Sequence, residues 1–311
     1  MSYPDPLAYV HEGFSPLESL RYFVLQHSKR LIKHQTAHVV KSSINRNAIQ
    51  RWLLLASCLT ICAAFSTFAA ADDNSAAAST VKTLEDKLGI VCEMQSPEFP
   101  IQTQHGKIEG RPAKRSDLET YVPILIAEFT IYPRQLIQKT ELRRIVLCSN
   151  LSFAGQLRTA VPDFEHDTLY LDVARGRHNI SYTRKVIHHE FFHLIDLKDD
   201  QSLYEDSDWA ALNLPDFRYG NGGINAQNDS QTSVLSDRLP GFLNSYSTTG
   251  VEEDKAEVFA AMIVEHATTS KRTKIDAVLL EKTRLLQQQL KAFCPQLDEQ
   301  FWTAAHKVDR R

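Results

Sequence analysis

The run VIHHEFFHLID, residues 186–196, sets three histidines and a glutamate in an otherwise apolar stretch. Its surroundings predict a helix from about Ser181 to Leu197. On a helix, residues four apart share a face, so His189 and His193 can reach one metal ion while Glu190 projects toward its water. His188 has Phe192 four places on and cannot pair with His193 in that way. A buried polar group left without a partner costs roughly several kcal/mol, so two histidines and a glutamate on an apolar helix need partners. One solution is a core helix whose histidines are satisfied by neighbours. The other is a catalytic zinc ion, which takes three protein ligands and leaves one position for water.

The motif does not contain a third ligand. Downstream candidates are Glu252, Glu253, Asp254, Glu257, His266 and the acids near Glu205. In VEEDKAEVFAAMI, residues 251–263, Glu253 and Glu257 stand four apart on a helix whose Val258, Phe259, Ala261 and Met262 read as buried. One carboxylate can bind the metal while the other accepts the N–H of a ligating imidazole. Spacing leaves open which does which. Glu252 and Asp254 read as acids that favour a helix N-terminus.

His189-Glu190-x-x-His193, Asp196, Tyr246 and Glu253-Asp254-x-Ala256-Glu257 together resemble the glutamate-zincin metallopeptidases, especially the catalytic domain of anthrax lethal factor. The string HHEFFHLID is also similar to candidate zinc-binding metallopeptidases of bacterial genomes. The likeness spans roughly residues 140–265 but rests on about ten positions. It departs from the group in its long connection, sixty residues from His193 to Glu253. The resemblance implies one zinc ion held by His189, His193 and Glu253, with Glu257 behind the ligands and Glu190 as general base. It also implies Tyr246 as a hydrogen-bond donor to the oxyanion, against the plainer reading of a packed loop aromatic. Asp196 is expected to orient a ligand or to cap the helix end. His188 reads as a satisfied or surface histidine rather than a substrate contact.

Elsewhere LGIVCEM (88–94), RRIVLCSNLSF (143–153) and DTLYLDV (167–173) read as strands, the last with Leu169, Leu171 and Val173 alternating against Tyr170 and Asp172. DTLYLDV is either the edge strand along which a peptide lies, as in similar zincins, or an ordinary core strand. Helices are expected from Ser116 toward Pro133, with a kink or a later start at Pro123, and at 204–213, 251–266, 274–293 and 297–308. Residues 219–237 read as loop. Strands precede most helices, so the fold class is α+β, with a small mixed sheet packed on the motif helix and a helical C-terminal part. The resemblance makes that fold zincin-like.

Residues 52–71, WLLLASCLTICAAFSTFAAA, hold no charge and follow Arg46 and Arg51. A basic flank, an apolar core and Ala69-Ala70-Ala71 before Asp72 predict a secretory signal peptide. Twenty apolar residues also suffice for an uncleaved membrane anchor. Either way the rest of the chain is expected to be exported. The division is then a basic extension (1–51), a signal or anchor (52–71), a linker (72–80) and a metallopeptidase domain (81–311). Cys92, Cys148 and Cys294 allow one disulfide, Cys92 with Cys148, or three buried thiols.

A net charge of −3, with no Lys/Arg run, argues against nucleic acid as a partner. The expected substrate is a peptide or protein, the expected state a monomer, and a membrane enters only if residues 52–71 stay uncleaved. The competing readings are a non-catalytic zinc or peptide-binding module and a zinc amidase acting on cell-wall peptides.

Overall fold

The computed structural model describes residues 79–95, 97–220, 236 and 238–310. The basic extension and the apolar segment 52–71 lie outside the described residues, as does the Gly/Asn-rich stretch 221–235. Among the described residues, no helix is long and apolar enough to cross a membrane.

The sheet is organised by β4 (Arg144–Phe153), whose first half is almost wholly buried. That half is flanked by parallel neighbours, β1 (Val91–Glu93) on one side and β7 (Thr168–Asp172) on the other. Its second half runs antiparallel to β3 (Gly106–Pro112), which forms a hairpin with β2 (Ile101–Thr103), and the short β5 (Gln156–Leu157) folds back on its end. β6 (Ala160–Asp163) pairs antiparallel with β7 and closes the order β2-β3-β4-β7-β6. The result is a mixed sheet in an α+β fold.

β7 is therefore an interior strand, and β6 holds the edge. The alternation read in DTLYLDV does not mean one wet face: all five residues of β7 are buried. Its second face is covered by a small cluster of Ile108, Val146, Cys148, Leu151, Val161 and Tyr170, with Phe99, Ile101 and Phe153 packed on it. Cys92 belongs instead to the main core, on the other face. Cys92 stands opposite Ile145, three residues before Cys148, so the two sulfurs point to opposite sides of the sheet. No disulfide joins them, and all three described cysteines are buried thiols.

Residues 79–88 are helical (α1), and α2 (Arg115–Phe129) and α3 (Arg134–Thr140) precede β4. α2 continues through Pro123 because that residue lies on its exposed face, and it starts at Arg115 without a side-chain cap. After β7 comes α4 (Ile180–Asp200), the motif helix. Asn179 caps it, its side chain accepting the Tyr182 N–H at 3.0 Å, and Gln201 ends it in a left-handed conformation, φ 67°. α5 (Ser207–Ala211), a 3-10 turn (Tyr246–Thr248), α6 (Val251–Val264), α7 (His266–Arg272), α8 (Ala277–Phe293) and α9 (Glu299–His306) complete the chain.

The main core lies between the sheet and these helices, with α4 against α6 at its centre. Phe191, Phe192 and Phe259 are fully buried there. Burying one such side chain contributes about 1.5–3 kcal/mol, so the aromatic packing fixes how the two helices face each other. Thirteen of the fourteen residues of α6 are buried, which forces every acid near its start to find a partner.

Candidate metal centre

α4 and α6 bring three ligand atoms together. His189 Nε2 is 3.0 Å from Glu253 Oε2, His193 Nε2 is 3.3 Å from His189 Nε2, and His193 Nε2 is 3.6 Å from Glu253 Oε2. Tetrahedral ligands each about 2.0–2.1 Å from a zinc ion stand about 3.3 Å apart, the mean spacing of this triangle. Two imidazole nitrogens at 3.3 Å repel unless a proton or a cation lies between them. Among the described residues, this is the set of His, Cys, Asp or Glu atoms close enough to hold an ion.

The surrounding charge also suits a dication. Glu190, Glu253 and Glu257 lie close together, while among the described residues Lys185 is the one Lys or Arg hydrogen-bonded into this group, at 3.1 Å from Glu257 Oε2. Asn244 Nδ2 donates to the same oxygen at 2.6 Å. The other oxygen of Glu257 stands 3.1 Å from His189 Nδ1, off the hydrogen-bond direction. Burial works against ionising Glu257, but the Lys185 ammonium and His189 outweigh it and hold the carboxyl down at about 2. Glu253 is likewise held below the usual carboxylate range, burial being overcome by His189 and His193. The residues present therefore fit a zinc ion.

Tyr246, on the 3-10 turn, donates its hydroxyl to Glu253 Oε1 at 2.9 Å, with its ring centroid 6.0 Å from that of His189. Burial and the Glu253 charge push its phenol well above the ordinary value, so it stays a donor at any working pH. Glu190 lines the open side of the site. Burial raises its carboxyl above the usual carboxylate range, against the opposing pull of His189 and His193.

Asp196 neither caps α4, which ends four residues later, nor bonds His193, whose Nδ1 has no hydrogen-bond partner. It pairs with Lys255 of α6 at 2.5 Å, and Lys255 reaches on to Asp206 at 2.9 Å. Burial lifts the Asp196 carboxyl to about 6 despite that partner. Asp254 departs further from its sequence reading. It is no helix-end acid facing water but a fully buried carboxylate bonded by Trp209 Nε1 (2.9 Å), Tyr219 Oη (2.7 Å) and Lys282 Nζ (2.6 Å). His188 faces away from the site. It sits in the core between Tyr132 Oη at 2.6 Å and Glu128 Oε2 at 2.9 Å.

Sequence reasoning missed Lys185 and Asn244. Lys185 was in view, since it lies four residues before His189 on the same helix face. Asn244 carried no signal, because only the folded connection brings it to α6.

The ligand triangle forms part of the floor of a cleft of about 1800 Å³. One wall is β6. The Thr159 carbonyl accepts the Asp172 N–H at 2.9 Å, so by antiparallel alternation Val161 and Asp163 also bond β7. Ala160 and Pro162 turn their backbone groups to the other edge, and Pro162 has no N–H to offer there.

No family model matches this sequence, and no curated protein matches it. The structure is similar to the crystal structure of a candidate zinc-binding metallo-peptidase from Bacteroides caccae, at 15% identity and a TM-score of 0.48. The match covers 74% of this chain and 91% of that one. Likeness at that level assigns no residue a role, and the α+β class stands on the chain's own elements.

Proposed function

We propose that this chain is a zinc-dependent peptidase that hydrolyses peptide bonds in an exported domain spanning residues 81–311. The observation that carries the reading is the convergence of His189, His193 and Glu253 at the floor of an open cleft, with Glu190 beside them and lining the same cleft. A zinc ion held by those three residues supplies Lewis acidity and makes water nucleophilic near neutral pH.

The remaining work falls to the chain itself. Glu190 takes a proton from the attacking water and delivers it to the leaving amine, a task its raised pKa suits. Tyr246 turns its hydroxyl from Glu253 to the oxyanion as charge develops on the scissile carbonyl oxygen. Glu257, held by Lys185 and Asn244, fixes the ring of His189. The substrate adds as a strand along the open edge of β6, with the Ala160 N–H and the Ala160 and Pro162 carbonyls as its backbone partners.

A module that only bound zinc or peptide has no use for Glu190 at the cleft surface. The test is zinc content and cleavage of a peptide library by wild type and by Glu190→Gln. We expect one zinc per chain in both, with cleavage slower by about 10²-fold or more in Glu190→Gln. Cleavage undiminished in Glu190→Gln, or zinc that survives loss of both His189 and Glu253, contradicts the reading.

A further inference from the structure

Arg158 stands two residues before β6 and lines the same cleft as Glu190 and the ligand triangle. Its backbone is fixed, the N–H donating to the Leu151 carbonyl at 2.9 Å. Its guanidinium is fixed too, Nη2 donating to Gln156 Oε1 at 3.0 Å. Nη1 is buried and has no hydrogen-bond partner, and among the described residues no carboxylate forms an ion pair with this arginine. Its charge is nevertheless near enough to act on Glu190. A buried guanidinium nitrogen without an acceptor is costly in a folded protein, and an arginine fork is the side chain best shaped for a carboxylate.

The strand direction says where that carboxylate comes from. A peptide added antiparallel to β6, as β7 is on the other side, runs with its C-terminal end beside the start of β6. Arg158 stands at that start. Thr159 is tied to Asp172 at the end of β7, so Arg175, three residues on and also lining the cleft, enters at the same end. Arg175 is exposed and, among the described residues, has no ion-pair partner. The cleft thus carries two arginines where the C-terminal side of a substrate arrives.

We propose that Arg158 anchors a carboxylate of the substrate on the C-terminal side of the bond to be cut. This rests on the peptidase reading above. The carboxylate is either the free C-terminus of a short peptide or an acidic side chain within a longer one. In both cases the fork of Arg158 binds it and draws the extended chain into register on β6.

Three pools of hexapeptides separate the possibilities: free acids lacking Asp and Glu, the same sequences as C-terminal amides, and amides carrying one Asp or Glu. Each pool is equilibrated with full-length Glu190→Gln protein, and with the same protein also carrying Arg158→Gln, and the retained peptides are weighed by mass spectrometry. We expect one carboxylate-bearing pool to be enriched about tenfold over the neutral amides, falling to about twofold or less with Arg158→Gln. Enrichment of the first pool identifies a terminal carboxylate, and of the third a side chain. Equal retention of all pools, or enrichment untouched by Arg158→Gln, overturns the proposal. Should Arg158→Gln not fold, Arg158→Lys keeps the charge without the fork and must lower the enrichment; unchanged enrichment there also overturns it. Wild-type cleavage with no carboxylate preference sinks this inference and leaves the peptidase reading standing. Arg158-dependent retention by a chain whose wild type cuts nothing does the reverse.

Discussion

Tyr246 and Glu257 touch the ligand residues from opposite sides, and each contributes through a single polar group. Removing only the Tyr246 hydroxyl, with Tyr246→Phe, leaves the ring beside His189 and takes away the donor to Glu253. We expect zinc content to be unchanged and kcat to fall about 10²-fold, the scale of a lost oxyanion donor. An unchanged kcat returns Tyr246 to a packing role. Glu257→Gln removes the charge beside His189 and one of the two carboxylates paired with Lys185. Residues that orient ligands in this way change metal affinity by about 10–100-fold, so zinc titration of this variant should show a loss of that size. Affinity equal to wild type means that Glu257 serves Lys185 alone.

At the scale of elements, α4 carries the proposed zinc ligands on one face and a polar knot on the other. Glu128 of α2 is fully buried and bonded by His188, Arg184 and the Arg310 guanidinium from the C-terminal end of the chain. Burial disfavours its charge, but those three donors win and bring its carboxyl down to about 2. A folded pKa below the unfolded value of about 4.3 means the ionised form stabilises the fold at higher pH. That stabilisation, of order 3 kcal/mol, is complete above about pH 4.5 and is lost as pH falls toward 2. Urea unfolding of wild type and Glu128→Gln across that window should therefore converge as pH falls. A gap that does not shrink contradicts the assignment.

The elements differ in how openly the sequence declares them. β4, β7, α4 and α6 are long or strongly patterned, and their existence follows from apolar spacing alone. β2, β3, β5 and β6 are short or rich in polar residues, and their pairing comes from β4 and β7 rather than from propensity, so reading the chain locally passes over them. Nor does the sequence decide between edge and core for β7, since the small cluster around Tyr170 that buries its second face is assembled from four separate strands. His189, Glu190 and His193 are legible because one helix sets their geometry. Arg158, Asn244 and the true partners of Asp254 depend on contacts between distant segments, which spacing does not encode.

At the scale of the whole molecule, we propose an exported peptidase that works as a monomer. Expressed from Met1 in an exporting host, the protein should be recovered outside the cytoplasm, and N-terminal sequencing of a processed form should begin near Asp72, after Ala69-Ala70-Ala71. A chain that remains in the membrane fraction with residues 52–71 intact points to the anchor instead. The central claim is that His189, His193 and Glu253 hold one catalytic zinc ion with Glu190 as base. It is tested most directly by measuring zinc per chain and peptide cleavage together in wild type, Glu190→Gln and the double variant His189→Ala/Glu253→Ala. We expect one zinc and cleavage in wild type, one zinc with cleavage slower by about 10²-fold or more in Glu190→Gln, and neither in the double variant. Full cleavage by Glu190→Gln, or a full complement of zinc in the double variant, contradicts it.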